Sequence, residues 1–123
     1  MSTIKANTLL HSDGSTTTQP SIPALDKRMA KAWVVVNQTG TQAILNSYKV
    51  SSITDTGVGD TRMNFTETQP NADYCILVSG HKEATWDESV QYTQNTTTSV
   101  LLQTHTSSGA GRDVSKITSA IFG

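Results

Sequence analysis

Apolar residues in this chain come in short runs, and that constrains its fold more than any other feature. Ala32-Trp33-Val34-Val35-Val36, Tyr74-Cys75-Ile76-Leu77-Val78 and Ser99-Val100-Leu101-Leu102 are typical. Turn-forming clusters separate such runs: Asn37-Gln38-Thr39-Gly40, Gln69-Pro70-Asn71 and Ser107-Ser108-Gly109-Ala110-Gly111. Runs of this length suit strands, whereas a helix needs a longer periodic pattern. The abundant Thr between them is β-branched and sits well on the solvated face of a sheet. The pattern predicts an all-β fold, a small antiparallel β-sandwich or barrel. With 123 residues the chain suits one domain with a modest core, which partner subunits would help to stabilise.

Three parts follow from the chain's organisation. Residues 1–20 read as an extended N-terminal arm, for anchoring or assembly, with one turn at Asp13-Gly14. The arm carries Ile4, Leu9 and Leu10 in a polar setting, too little to fold alone. Residues 21–30 read as a short helix or an irregular linker: Ser21 can cap, Pro23 suits a first turn, and Ile22, Leu25 and Met29 have helical spacing. Residues 31–123 form the β domain. Within it Val50–Thr54 and Thr61–Thr66 pair, with Met63 and Phe65 on one side and Arg62, Asn64 and Thr66 on the other. Tyr74–Ser79 reads as a strand buried on both faces, with Cys75 a small buried hydrophobe. Val90 and Tyr92 alternate in a further strand. Val114–Phe122 reads as the last strand, although Val114, Ile117 and Ile121 also fit a helical period.

The most suggestive stretch for ligand chemistry is Asp55-Thr56-Gly57-Val58-Gly59-Asp60. It has too few oxygen ligands for a calcium loop, and Thr61-Arg62-Met63 does not continue it into a phosphate-binding loop. A hairpin turn uses every residue, with glycine at positive φ and Asp and Thr bonding the local backbone. His11, His81 and His105 show no metal-ligand spacing. Gly-x-Ser-x-Gly is absent, and Glu83, Asp87 and Glu88 read as a solvated acidic cluster. No catalytic, cofactor-binding or metal residue is assigned, and the chain reads as a non-enzyme. Trp86 and Tyr92 are the candidates for surface recognition, Trp86 being a platform for a sugar or protein, or a lid on the core. Three Asn-x-Thr sequons, at Asn37, Asn64 and Asn95, are expected by chance in so Thr-rich a chain. The net charge of -1 offers no basic surface for nucleic acid, and no apolar run reaches the length of a membrane span. The N-terminus lacks the apolar core of a signal peptide, so synthesis in a cytoplasm is expected.

Lys31-Ala32-Trp33-Val34, Val50-Ser51-Ser52-Ile53-Thr54-Asp55 and Asn64-Phe65-Thr66 occur here in one order, followed by the turn Pro70-Asn71-Ala72-Asp73-Tyr74. In this the chain resembles a module of bacteriophage virion proteins, frequent in tail-fibre and related structural proteins of marine and freshwater phages, cyanophages included. Ser2-Thr3-Ile4-Lys5-Ala6-Asn7-Thr8 is similar to the start of many such proteins. The resemblance covers residues 31–80, with 121–123 loosely added. It departs at Val35-Val36 and at Thr61-Arg62-Met63, and 81–112 lie outside it. It implies a β-rich virion component made in the bacterial host's cytoplasm, without enzyme activity and assembled as a homotrimer. Its partners would be its own copies and other virion proteins, of the tail, the baseplate or the major capsid shell, with a host surface glycan or protein as a further contact. Two placements follow. A fibre or appendage module would anchor through Ile4, Leu9, Leu10, Ile22 and Leu25 and touch the host through Trp86 and Tyr92. A capsid decoration (cement) protein would clamp the phage head as a trimer. A glycan-cleaving enzyme would rest only on Glu83, Asp87 and Glu88.

Overall fold

Alternation decides which side of each run is buried. In the strand Ala32–Asn37 (β1), Ala32, Val34 and Val36 are buried while Trp33 and Val35 are half-buried on the opposite side. The computed structural model describes residues 2–16, 18, 21–81 and 88–123, with Glu88 described by its backbone. The remaining strands among these are β2 (Ala43–Tyr48), β3 (Val50–Gly57), β4 (Asp60–Phe65), β5 (Cys75–Gly80), β6 (Glu88–Thr93), β7 (Ser99–Thr106) and β8 (Ile117–Phe122). They form two antiparallel four-stranded sheets, in the orders β2-β1-β8-β5 and β3-β4-β7-β6. The two sheets pack as an open sandwich and do not close into a barrel. The chain passes from β2 in the first sheet to β3 in the second at Lys49, whose φ is 55°. The C-terminal segment is a strand, as expected, paired with both β1 and β5.

The core lies between the sheets. Val34, Val36, Ile117 and Ile121 from the first sheet meet Met63, Phe65, Val100 and Leu102 from the second. Tyr74, just before β5, closes one end, with its ring edge-on to Phe65 at 5.6 Å between centroids. Its hydroxyl donates to the Thr96 carbonyl at 2.7 Å. In the helix-or-linker segment, only Pro23–Asp26 (α1) is helical, and it buries none of its residues. So short a helix has no packed face to sustain a longer one, which is why the helical spacing of Ile22, Leu25 and Met29 did not extend it.

One strand departs from expectation. β5 is not buried on both faces: Ile76 and Val78 pack on the core, but Cys75 is exposed and Leu77 keeps 57% of its surface. The reason is position. β5 is an edge strand, and none of the described residues forms a layer over its outer side.

The other end of the sandwich is fastened by a buried amide. Gln38 follows β1 and is wholly buried. Its Nε2 donates to the Gly59 carbonyl and to Thr61 Oγ1, both at 3.0 Å. Its Oε1 accepts from the Val114 amide at 3.2 Å and from Thr104 Oγ1 at 3.5 Å. One side chain thereby ties the first sheet to the β3–β4 turn, to β7 and to the entry of β8. Glycine is required where this turn meets the 111–113 loop. A Cβ on Gly59 would lie 2.3 Å from the Thr104 carbonyl, and one on Gly111 would lie 2.1 Å from that of Val58.

Two outcomes test this packing. Gln38→Ala strands several buried polar partners and costs about 3 kcal/mol in a urea titration, since each unsatisfied group costs roughly 1–3 kcal/mol. A loss within experimental error contradicts the clamp. Ser119 is the opposite case: its Oγ is buried without a hydrogen-bond partner among the described residues. Ser119→Ala therefore leaves stability unchanged or raises it, by up to about 1 kcal/mol.

Burial raises the pKa of Tyr74 above its usual 10.0. A folded value above the unfolded one means that the phenol's contribution is complete below pH 10 and is lost as pH rises through the folded value. Alkaline titration of stability should be steeper in the wild type than in Tyr74→Phe above about pH 10. Parallel curves contradict this.

Candidate functional site

The loop that most resembled a ligand site is a turn. Asp55 Oδ1 accepts the Gly57 amide at 3.1 Å, and Asp60 Oδ1 accepts Gln103 Nε2 at 3.2 Å. The amide of Gly59, which has φ +78°, donates to Asp113 Oδ1 at 2.7 Å. These carboxylates are oriented by the protein's own donors. Among the described residues no three His, Cys, Asp or Glu gather as a metal site. His11 pairs with Asp13 at 3.1 Å in the arm, His81 is exposed beyond β5, and His105 bridges to Gly111 at the end of β7. Trp86, Glu83 and Asp87 lie outside the described residues, as does the side chain of Glu88. Tyr92 is 43% exposed on edge strand β6, paired with the core residue Leu102. That register puts it on the core side of the sheet at its rim.

The two outer faces of the sandwich differ in kind. On the β3-β4-β7-β6 sheet, the side chains pair among themselves. Asn64 Nδ2 donates to Ser52 Oγ and Thr54 Oγ1 at 3.1 and 3.0 Å, and Arg62 donates to Gln94 Oε1 at 2.9 Å. Gln103 Oε1 accepts from Thr93 Oγ1 at 3.1 Å. Such a face is satisfied and suits water.

The outer face of the β2-β1-β8-β5 sheet carries an apolar row, beside a second row in which Val35 stands among Asn46, Thr118 and Ser79. Register places Tyr48, Trp33, Ala120 and Leu77 in one row across all four strands. Val35 lies in the next row beside Thr118, and Phe122 lies opposite Cys75 on the far side. Trp33, Val35, Leu77 and Ala120 line a shallow groove of about 250 Å³. Trp33 and Tyr48 also border a wider cavity of about 660 Å³, whose other wall is Leu9, Leu10 and Met29.

The arm thus comes alongside this face, yet it stays exposed. Ile4 keeps 89% of its surface, Leu9 67% and Leu10 49%. Ile22 and Leu25 each keep 38%. Among the described residues, Ser2–Leu10 make no hydrogen bond. The turn expected at Asp13-Gly14 is present: the Gly14 amide donates to the His11 carbonyl at 2.8 Å, and that of Ser15 to Asp13 Oδ1 at 2.7 Å. At the base of the arm, Lys49 Nζ donates to Glu67 Oε1 at 3.0 Å, which raises the lysine's pKa.

Sequence reasoning named the apolar arm residues for assembly, and the structure shows them exposed; it missed Trp33, Leu77 and Ala120 as a surface. The signal was there. A run apolar at every position, such as Ala32–Val36, marks a strand with both faces covered, and one sandwich covers only one. An arrangement of this kind can bind another apolar surface. It brings together no acid–base pair or nucleophile with a base among the described residues.

If the turn is only a turn, millimolar calcium leaves the thermal midpoint unmoved in both the wild type and Asp60→Asn. A calcium-dependent rise lost in Asp60→Asn contradicts it, since a ligand of the native state raises its stability. Comparison of the chain with protein-family models, with curated proteins and with solved structures finds no match.

Proposed function

We propose that this chain is a non-enzymatic structural protein of a phage virion, a homotrimeric module that is mounted through its N-terminal arm. The observation that carries the reading is the pairing of exposed apolar residues on the arm with an apolar row on the outer sheet face in one small domain. Small sheet proteins that act alone keep such surfaces scarce, and contiguous apolar patches mark interaction sites. The resemblance of residues 31–80 to virion proteins supplies the setting. The arm gives the module its attachment to tail or head proteins, and the polar face of the second sheet is left to solvent. Contact with a host glycan or protein would fall to Tyr92, at the rim of the second sheet, and to Trp86, the other aromatic that the sequence offers for it.

Deletion of residues 2–20 tests the reading. The full chain should run in light scattering at three times its 13.2 kDa mass, and the truncated chain at the monomer mass with its β-sheet circular dichroism intact. A full-length monomer contradicts the proposal. Copy number per particle then separates the placements: hundreds of copies fit a head protein, and a few dozen or fewer fit a tail appendage.

A further inference from the structure

We propose that the outer face of the β2-β1-β8-β5 sheet is the seat for the N-terminal arm of a second copy of this chain, centred on Trp33, Ala120 and Leu77. The inference rests on the assembly reading above and adds to it the place where protomers meet.

Chemical match comes first. Within its own protomer the arm sets Leu9 and Leu10 at the Trp33–Tyr48 end of this face. The remainder, from Trp33 across Ala120 to Leu77, forms an open apolar groove. The arm has the residues to fill it, because Ile4 and Leu9 remain mostly in water and Leu10 about half so.

Length then favours a neighbour. Nine extended residues span about 30 Å, at roughly 3.3 Å each. Four strands spaced about 4.8 Å apart are only some 15 Å across. An arm that starts beside Trp33 therefore overshoots the face of its own sheet and has reach to spare for the next molecule. Residues Ser2–Leu10 also alternate in part, with Ile4, Ala6, Thr8 and Leu10 on one side and Thr3, Lys5, Asn7 and Leu9 on the other. In extended form this puts Ile4 and Leu10 on one side, with Lys5 and Asn7 on the other, so that the segment's first apolar contact is made by Ile4.

Competing seats are weaker. The outer face of the other sheet is already tied up by hydrogen bonds from Asn64 to Ser52 and Thr54, from Arg62 to Ser99 and from Gln103 to Asp60. Passing the arm from each protomer to the next is a head-to-tail contact, which makes a ring when its rotation closes after three copies, as a trimer requires.

The test uses the full-length chain with Leu77→Asp, and Thr54→Asp on the opposite face as control. Leu77 is 57% exposed, so its replacement leaves the fold in place. Light scattering across a dilution series should show Thr54→Asp assembling like the wild type. Leu77→Asp should need at least tenfold higher concentration to assemble. If Leu77→Asp assembles normally while deletion of 2–20 gives a monomer, the assembly reading stands and this seat is wrong. A wild-type monomer overturns both. A second variant, Ile4→Cys, separates exchange from self-docking, because Cys75 lies two residues from Leu77 on the same face. Oxidation should give covalent multimers. A cross-linked monomer, or no cross-link, overturns the exchange.

Discussion

A β-sandwich covers one face of each of its sheets, and the β2-β1-β8-β5 sheet carries apolar side chains on both, its outer face holding one apolar row across all four strands. Val34, Val36, Ile117 and Ile121 take the inner face, while Trp33, Val35, Leu77 and Phe122 take the outer one. Water tolerates scattered apolar side chains but not readily a continuous row of them. Burying a side chain the size of Leu77 gains about 2 kcal/mol, which is more than tenfold in an association constant. The other sheet carries no such debt, since its outer side chains bond one another. The two faces therefore differ in what they offer a neighbour.

The buried Gln38 amide matters for a different reason. It fixes the end of the sandwich at which the β3–β4 turn, the 111–113 loop and the start of β8 converge. Close backbone approaches at Gly59 and Gly111 leave no room for a larger residue there. The acidic turn is thereby a structural fastening, and the exposed apolar residues lie elsewhere, on the arm and the outer face of the first sheet.

Much of the fold was legible because period-two burial is a direct consequence of strand geometry. Met63 and Phe65 inward with Arg62 and Asn64 outward follow from alternation alone. The Asp13-Gly14 turn and the β3–β4 hairpin follow from glycine and Asp chemistry. Two things were not legible. Strand order depends on pairings between distant residues, such as β4 with β7, and no local pattern encodes those. The burial of Cys75 and Leu77 depends on what lies above β5, and within one protomer none of the described residues covers them. A both-faces-apolar run states a need for two covers without saying whose they are. The candidate site was hidden by the same ambiguity, because Trp33 and Leu77 look like core residues until the register shows which side they occupy.

The native Cys75 thiol, exposed on the outer face of the first sheet, measures directly whether that face is covered. Its rate of maleimide labelling should be slow in the full-length protein at concentrations where it assembles, and fast after deletion of residues 2–20. Equally fast labelling of both proteins, at a concentration where the full chain is oligomeric, would contradict the account: the chain would then assemble through some other surface.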